Sequence, residues 1–447
     1  MLNIYERTEK ERIDLEKTIE KILSYAKKQG ADQAKVSINK NTGISADIRA
    51  QSVEKVTFSK DRSLGITVFC NHCSGSVATT DLSDSAIYDA VDAAIAISKH
   101  TERDEFSGLA DKDDLYFDHI DLDRFHPNEP DPDLCIQRAM ELEKLTMGKP
   151  MIKQTISSYT SSSYGQAVFG NSYGQIISIP FSSFCSSLTL LGEKDGNMET
   201  GGGYHISCDS DDLWSTEKIA DEAISDTVSK LGARKVSTTT SPVIFDNTVA
   251  PSVFSILCSA ISGNMQYKKI SFINDCLGQQ IFPSWINVYE DPLIKKSLYS
   301  RSFDHDGVKT KPKHIIENGI VKTYILSAYT ARQLKMKNTG NAGGTCTLKI
   351  SNSGISQEAL FNEMGTGLLV KETMGMDIDP TTGDFSFGAE GQWIENGQIA
   401  YPVHEITVAG NIKDVFKNIV KIANDIDPRF KNKVGSILLG PLKIAGK

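Results

Sequence analysis

From Lys235 onward the chain is punctuated by short strand-like runs separated by glycine turns. That pattern restricts this half to a barrel or a pair of packed sheets. The runs fall at residues 242–245, 286–289, 319–326, 345–350, 367–370, 385–388, 391–395 and 406–408, and only 248–261 and 411–426 read as helix. The half before Arg234 reads differently. Leu15, Ile19, Ile22, Leu23 and Ala26 recur at helical spacing, with Gly30 where a C-terminal cap belongs. Short strands are expected at 34–40, 45–51, 53–59, 65–70 and 74–80, with turn residues Asn41-Thr42-Gly43 and Asp61-Arg62 between them. A second helix follows Asp81, carrying Ile87, Val91, Ala94 and Ile95 on one side. An Asp- and Pro-rich connector spans 108–133. A helix over 133–147, strand-like residues 152–191 and a helix over 215–231 follow it.

The expected fold is therefore α+β: an N-terminal antiparallel sheet with helices over residues 1–234, then a β-rich, barrel-like or packed-sheet domain over 235–447. A chain of 447 residues exceeds what one ordinary core supports, which agrees with that division.

The formal net charge of -9 opposes a phosphate backbone, so direct nucleic-acid binding is not expected. Glu6, Arg7, Glu9 and Lys10 follow the start at once, without the apolar stretch of a signal peptide, and no apolar run is long enough for a membrane span. Eight scattered cysteines do not form a disulfide pattern. A cytoplasmic chain with reduced thiols is the expectation.

Local motifs offer little chemistry. Cys70-Asn71-His72-Cys73 has two thiols and an imidazole, but a structural zinc site needs four ligands and no second pair exists, so a hairpin turn is the expected role. His404-Glu405 opens like a zincin helix, yet Val408 stands where the second histidine belongs and the alternation suggests a strand. Ser215 of Ser215-Thr216-Glu217-Lys218 is a helix N-cap. Gly340-Asn341-Ala342-Gly343-Gly344 lacks the Lys-Ser/Thr of a phosphate loop. His119 and His126 lie in the connector, two helical turns apart but outside any expected helix.

Longer ordered segments carry more information. Ser302-Phe303-Asp304-His305-Asp306-Gly307, Ile316-Glu317-Asn318-Gly319, Thr339-Gly340-Asn341-Ala342, Thr382-Gly383-Asp384-Phe385-Ser386-Phe387-Gly388 and Tyr401-Pro402-Val403-His404-Glu405 together resemble the signatures of the TldD/PmbA, or modulator of DNA gyrase, family. The resemblance runs over nearly the whole chain. It implies a cytoplasmic peptidase system of two related chains. One chain holds zinc on a His-Glu-x-x-x-His helix and a late cysteine; the other, the PmbA/TldE side, lacks these ligands. On that alignment Phe254 and Ser259 take the two histidine positions and Ser255 the glutamate. The last cysteine is Cys346, and Val434 precedes the matching Gly435.

The resemblance therefore implies a non-catalytic subunit without a cofactor of its own. Its partners would be a zinc-bearing TldD-like chain and an unfolded peptide. Phe385, Ser386, Phe387 and Gly388 are the candidates for a peptide groove. Two competing readings are a stand-alone hydrolase assembled from distant residues such as Cys258, Cys276 and His305, and a peptide-binding or regulatory homodimer.

Overall fold

The computed structural model describes residues 3–118 and 120–446. His119 lies outside the described residues. The N-terminal half begins with helix α1 (Ile4–Lys28), capped by Asn3 and Glu6 in a reciprocal capping box. Strands β1 (Gln33–Arg49), β2 (Ser52–Cys70) and β3 (Cys73–Thr79), then helices α2 (Asp84–Ser98) and α3 (Pro132–Lys144), come next. Strands β4 (Ile152–Asn171), β5 (Ile176–Lys194) and β6 (Asn197–Ser207) and helix α4 (Thr216–Lys230) complete this half. All six strands form one antiparallel sheet in the order β3-β2-β1-β4-β5-β6.

The strands are far longer than the short runs expected. Asn41-Thr42-Gly43 and Asp61-Arg62 are not turns: they lie inside β1 and β2, where Asn41 pairs with Asp61 and Gly43 with Ser59. β1 is hydrogen-bonded on both sides, to β2 and β4, and this overrides the local turn preference. Asn71 and His72 do make the expected turn, both at positive φ, between paired Cys70 and Cys73. The helices cover one face. Leu15, Ile19 and Ile22 of α1 and Ile87, Val91 and Ala94 of α2 pack on Val36, Ile38, Leu64 and Ile66. Toward the other end α3 meets Ile44 and Ala46, and α4 meets Leu188 and Leu190.

The second half contributes β7 (Thr239–Phe245), α5 (Ala250–Ala260), α6 (Gly263–Tyr267), β8 (Val288–Asp291), β9 (Lys313–Glu317), β10 (Ile320–Val321), α7 (Ala328–Leu334), β11 (Thr347–Ile350) and α8 (Gln357–Met364). It ends with β12 (Gly367–Met374), β13 (Asp384–Glu395), β14 (Gln398–Asn411), α9 (Ile412–Lys417), β15 (Ile419–Ile422), β16 (Asn432–Lys433) and β17 (Ile437–Ala445). β14-β13-β12-β7-β17 closes on itself through a β14–β17 pairing, giving a five-stranded barrel with β15 added on β17. A smaller sheet runs β10-β9-β8-β11-β16. The helix expected over 411–426 is split. Only α9 is helical, because Ile419 and Ile422 pair with β17 instead. One large core joins barrel residues such as Phe245, Val370 and Phe387 to α5 and the smaller sheet. No helix among the described residues is long and apolar enough to cross a membrane.

The two halves meet at the Asp304–Gly307 turn. Gln175 is fully buried and its amide nitrogen donates to the carbonyls of Tyr116 (2.5 Å) and Gly307 (2.8 Å). Gly307 has φ +80°, and a Cβ there would sit 2.2 Å from Gln175 Oε1. Gly307→Ala is expected to lose about 2 kcal/mol, combining left-handed strain with the displaced amide. A drop in the urea midpoint reads this out; an unchanged midpoint contradicts it.

Candidate functional site

Helix α5 starts with Pro251 in its first turn, where a missing N–H costs nothing. Val253, Phe254 and Leu257 are fully buried in the large core, and Phe254 stacks on Phe282 at 6.0 Å between ring centroids. Ser255, Cys258 and Ser259 instead line a cavity of about 340 Å³. Its other walls are the loop Asn341–Ala342–Gly343–Gly344–Thr345, the start of α7, and Lys431-Asn432. Asn432 Nδ2 donates to Pro251 O (2.8 Å) and Ser255 Oγ (2.9 Å), tying β16 to α5. Burial pushes the Cys258 thiol up to about 11, with Lys431 pulling the other way. Asn341 Nδ2 donates to the buried Glu290 carboxylate at 3.0 Å, and Lys313 pairs with the same carboxylate at 2.8 Å.

A second cavity, of about 750 Å³, opens between the N-terminal sheet and the Asp304–Gly307 turn. Lys35, Thr67, Phe169, Arg301, Phe303 and His305 are among its lining. The 341–344 loop separates the two cavities: Asp304 Oδ2 accepts from Ala342 N (2.8 Å), and His305 N donates to Ala342 O (3.1 Å). Burial, aided by the neighbouring Asp306 charge, raises Asp304 to about 6. Burial and the charges of Arg301 and Lys35 lower His305, which favours its neutral form.

These positions do not fit zinc. Zn²⁺ takes thiolate, imidazole or carboxylate ligands. The α5 cavity offers a single thiol among hydroxyls, amides and an ammonium group. Phe254 faces the core while Ser259 faces the cavity, so the two side chains do not address one point. Among the described residues no three His, Cys, Asp or Glu side chains cluster as a metal site.

The other candidates are dispersed. Phe385 and Phe387 are 5% and 2% exposed and stack on each other inside the barrel, so their side chains cannot line a groove. Ser386 is exposed and Gly388 half-buried, but β13 lies between β12 and β14, which denies an added strand its edge. Cys276 is buried under Tyr324, with its thiol also pushed by burial to about 11. Such shifts oppose a thiolate nucleophile, and among the described residues neither Cys258 nor Cys276 has a histidine partner. His404 lies on β14, and Glu405 pairs with Lys235. Lys431 and Asn432 carry no motif, and only proximity in the fold reveals them.

Three family models match in order: PmbA/TldA metallopeptidase domain 1 over residues 34–98, the central domain over 125–231 and the C-terminal domain over 238–446. The chain is 41% identical over 447 residues to Metalloprotease PmbA of Escherichia coli O157:H7, covering 100% of this chain and 99% of that one. It is also 25% identical over 294 residues, 61% of each chain, to a TldD homolog of Buchnera aphidicola subsp. Acyrthosiphon pisum, named as a metalloprotease. A Bacteroides thetaiotaomicron structure described as a modulator of DNA gyrase superposes with a TM-score of 0.89 at 24% identity, over 96% of this chain and 98% of that one. TldE of Thermococcus kodakarensis superposes with a TM-score of 0.83 at 20% identity, over 96% and 100%.

Proposed function

Because this chain belongs to the PmbA/TldD metallopeptidase family, we propose that it is the non-catalytic subunit of a cytoplasmic zinc-peptidase complex. In this reading a TldD-like chain supplies the zinc and this chain completes the chamber that holds an unfolded peptide. The observation that carries it is α5. Its three alignment positions hold Phe254, Ser255 and Ser259, none of which binds zinc, and Phe254 is sealed in the core. A hydroxyl at Ser255 also cannot serve as the general base that a carboxylate provides. The net charge of -9 suits a peptide rather than a nucleic-acid substrate.

The test is reconstitution. Each purified chain is incubated separately and then together with fluorescently labelled, unfolded casein. Cleavage is expected to be greater in the mixture than the sum of the separate reactions, and to stop with a zinc chelator. Zinc analysis of this chain alone should give far less than one equivalent. Chelator-sensitive cleavage by this chain alone, with one bound zinc, would overturn the reading.

A further inference from the structure

We propose that the outer half of β2 is a self-pairing edge, through which two copies of this chain join their N-terminal sheets into one continuous antiparallel sheet. The proposal does not depend on the zinc-peptidase reading. β2 runs from Ser52 to Cys70, but β3 pairs only with its residues 64–70. Among the described residues no strand lies beside 52–63 on the side away from β1. An unpaired edge of this length presents a row of free N–H and C=O groups, which is a template for another strand. All its side chains but Ser59 are exposed, and Val53, Val56 and Phe58 are 46%, 41% and 57% exposed. The edge is nevertheless held in place. The buried Glu143 carboxylate accepts from the N–H groups of Ala50 (2.8 Å) and Gln51 (2.6 Å) at the hairpin tip, and β4 backs β1 as far as Ile48.

Charge identifies the occupant as a second copy. Charges on an edge strand ordinarily discourage pairing. Here they select one register. Glu54-Lys55 precedes Phe58 and Asp61-Arg62 follows it at the mirrored spacing, with the signs exchanged. A second copy running antiparallel, with the two-fold axis at Phe58, sets Lys55 against Asp61 of the second copy and Glu54 against its Arg62. Symmetry makes each pair occur twice. Val56 then lies along the apolar stem of Lys60 of the second copy, and the two Phe58 rings meet. A slip of one residue sets Lys55 against Lys60 in one direction and against Arg62 in the other, and like charges directly opposite destabilise a ladder. Glu54 is the extra residue of a bulge facing Asp47 and Ile48, so the regular ladder runs over 55–61 of each copy. Phe58 is also the midpoint of 53–63. The register therefore fills the vacant edge up to Leu64, where β3 takes over. A strand of uniformly acidic or basic character would match only half of this pattern.

The test is sedimentation equilibrium of the full chain alone. A dimer is expected at micromolar concentration. Asp61→Lys turns two opposite-charge pairs into like-charge pairs and should weaken the dimer about tenfold. Lys55→Glu combined with Asp61→Lys in the same chain exchanges the signs and should recover most of that loss, which a merely local disturbance of either exposed residue would not do. Phe58→Cys gives a second readout. Directly opposite Cα atoms in an antiparallel ladder lie about 4.5–5.5 Å apart, within disulfide reach, so mild oxidation should yield a covalent homodimer that the parent chain does not form. A parent chain that stays monomeric, a charge exchange that fails to restore the dimer, or no covalent homodimer from Phe58→Cys would overturn the proposal. So would a parent chain that associates only with an added TldD-like chain and loses that association in Asp61→Lys, which would assign the edge to that chain instead.

Discussion

Phe254→Ala is expected to lower the unfolding free energy by about 3–5 kcal/mol, the range for removing a buried phenyl ring. The ring is fully buried, stacks on Phe282, and belongs to the core shared by α5, the barrel and the smaller sheet. A close-packed interior relaxes only partly around the void, so a cavity cost adds to the lost transfer energy. Urea unfolding measures the loss, and a change below about 1 kcal/mol would mean that this face of α5 is not packed as described. The same geometry predicts that Phe254→His with Ser259→His fails to hold zinc tightly. The first imidazole would be buried in the core, away from the cavity that Ser259 faces. Tight, stoichiometric zinc in that double variant would show that α5 can turn or unwind.

Arg429→Ala is expected to cost a similar amount, about 3–5 kcal/mol, as when one member of a buried pair is removed. Arg429 is 7% exposed at its side chain and so is Asp427, which receives the guanidinium through both carboxylate oxygens. The same group reaches Glu222 of α4 at 2.7 Å and the carbonyl of Tyr204 at 2.9 Å, and lies over the rings of Tyr204 and Trp214. It therefore joins the segment before β16 to the N-terminal half. Lysine should not rescue it, because an ammonium group lacks the planar fork and the stacking surface. Burial works against ionised Asp427, but Arg429 outweighs it and holds the carboxyl below its ordinary value. With a depressed folded-state pKa the contribution is present above the unfolded value of about 4 and is lost as pH falls below it. Arg429→Ala should thus flatten the acid end of the stability profile. A variant as stable as the parent at pH 7 would contradict the account.

Much of the fold was legible where a single element buries its own periodic face. Leu15, Ile19, Ile22 and Ala26 were readable as one stripe because a helix repeats every 3.6 residues, and all four are buried. The Gly-punctuated half was readable as barrel-like because its strands are short, and five of them do close a barrel. Local preference misled where distant pairing decides. Asn41-Thr42-Gly43 looks like a turn in isolation but is held extended between two neighbouring strands. Residues 419–422 continue a helical pattern but pair with β17, whose partner residues begin at Ile437.

The candidate site divides the same way. Residue chemistry alone determined that Phe254, Ser255 and Ser259 cannot ligate zinc, because ligand strength belongs to the side chain wherever it lies. It also determined the acidic charge and the ordered signatures of the family. Only the tertiary structure decided that Phe254 is a core residue, that Phe385 and Phe387 fill the barrel, and that Asn341, Lys431 and Asn432 converge on α5. Those residues are far apart along the chain, and their meeting depends on how the barrel and the smaller sheet pack around one helix. Packing of that kind is set by the whole core at once, so no local pattern of residues encodes it.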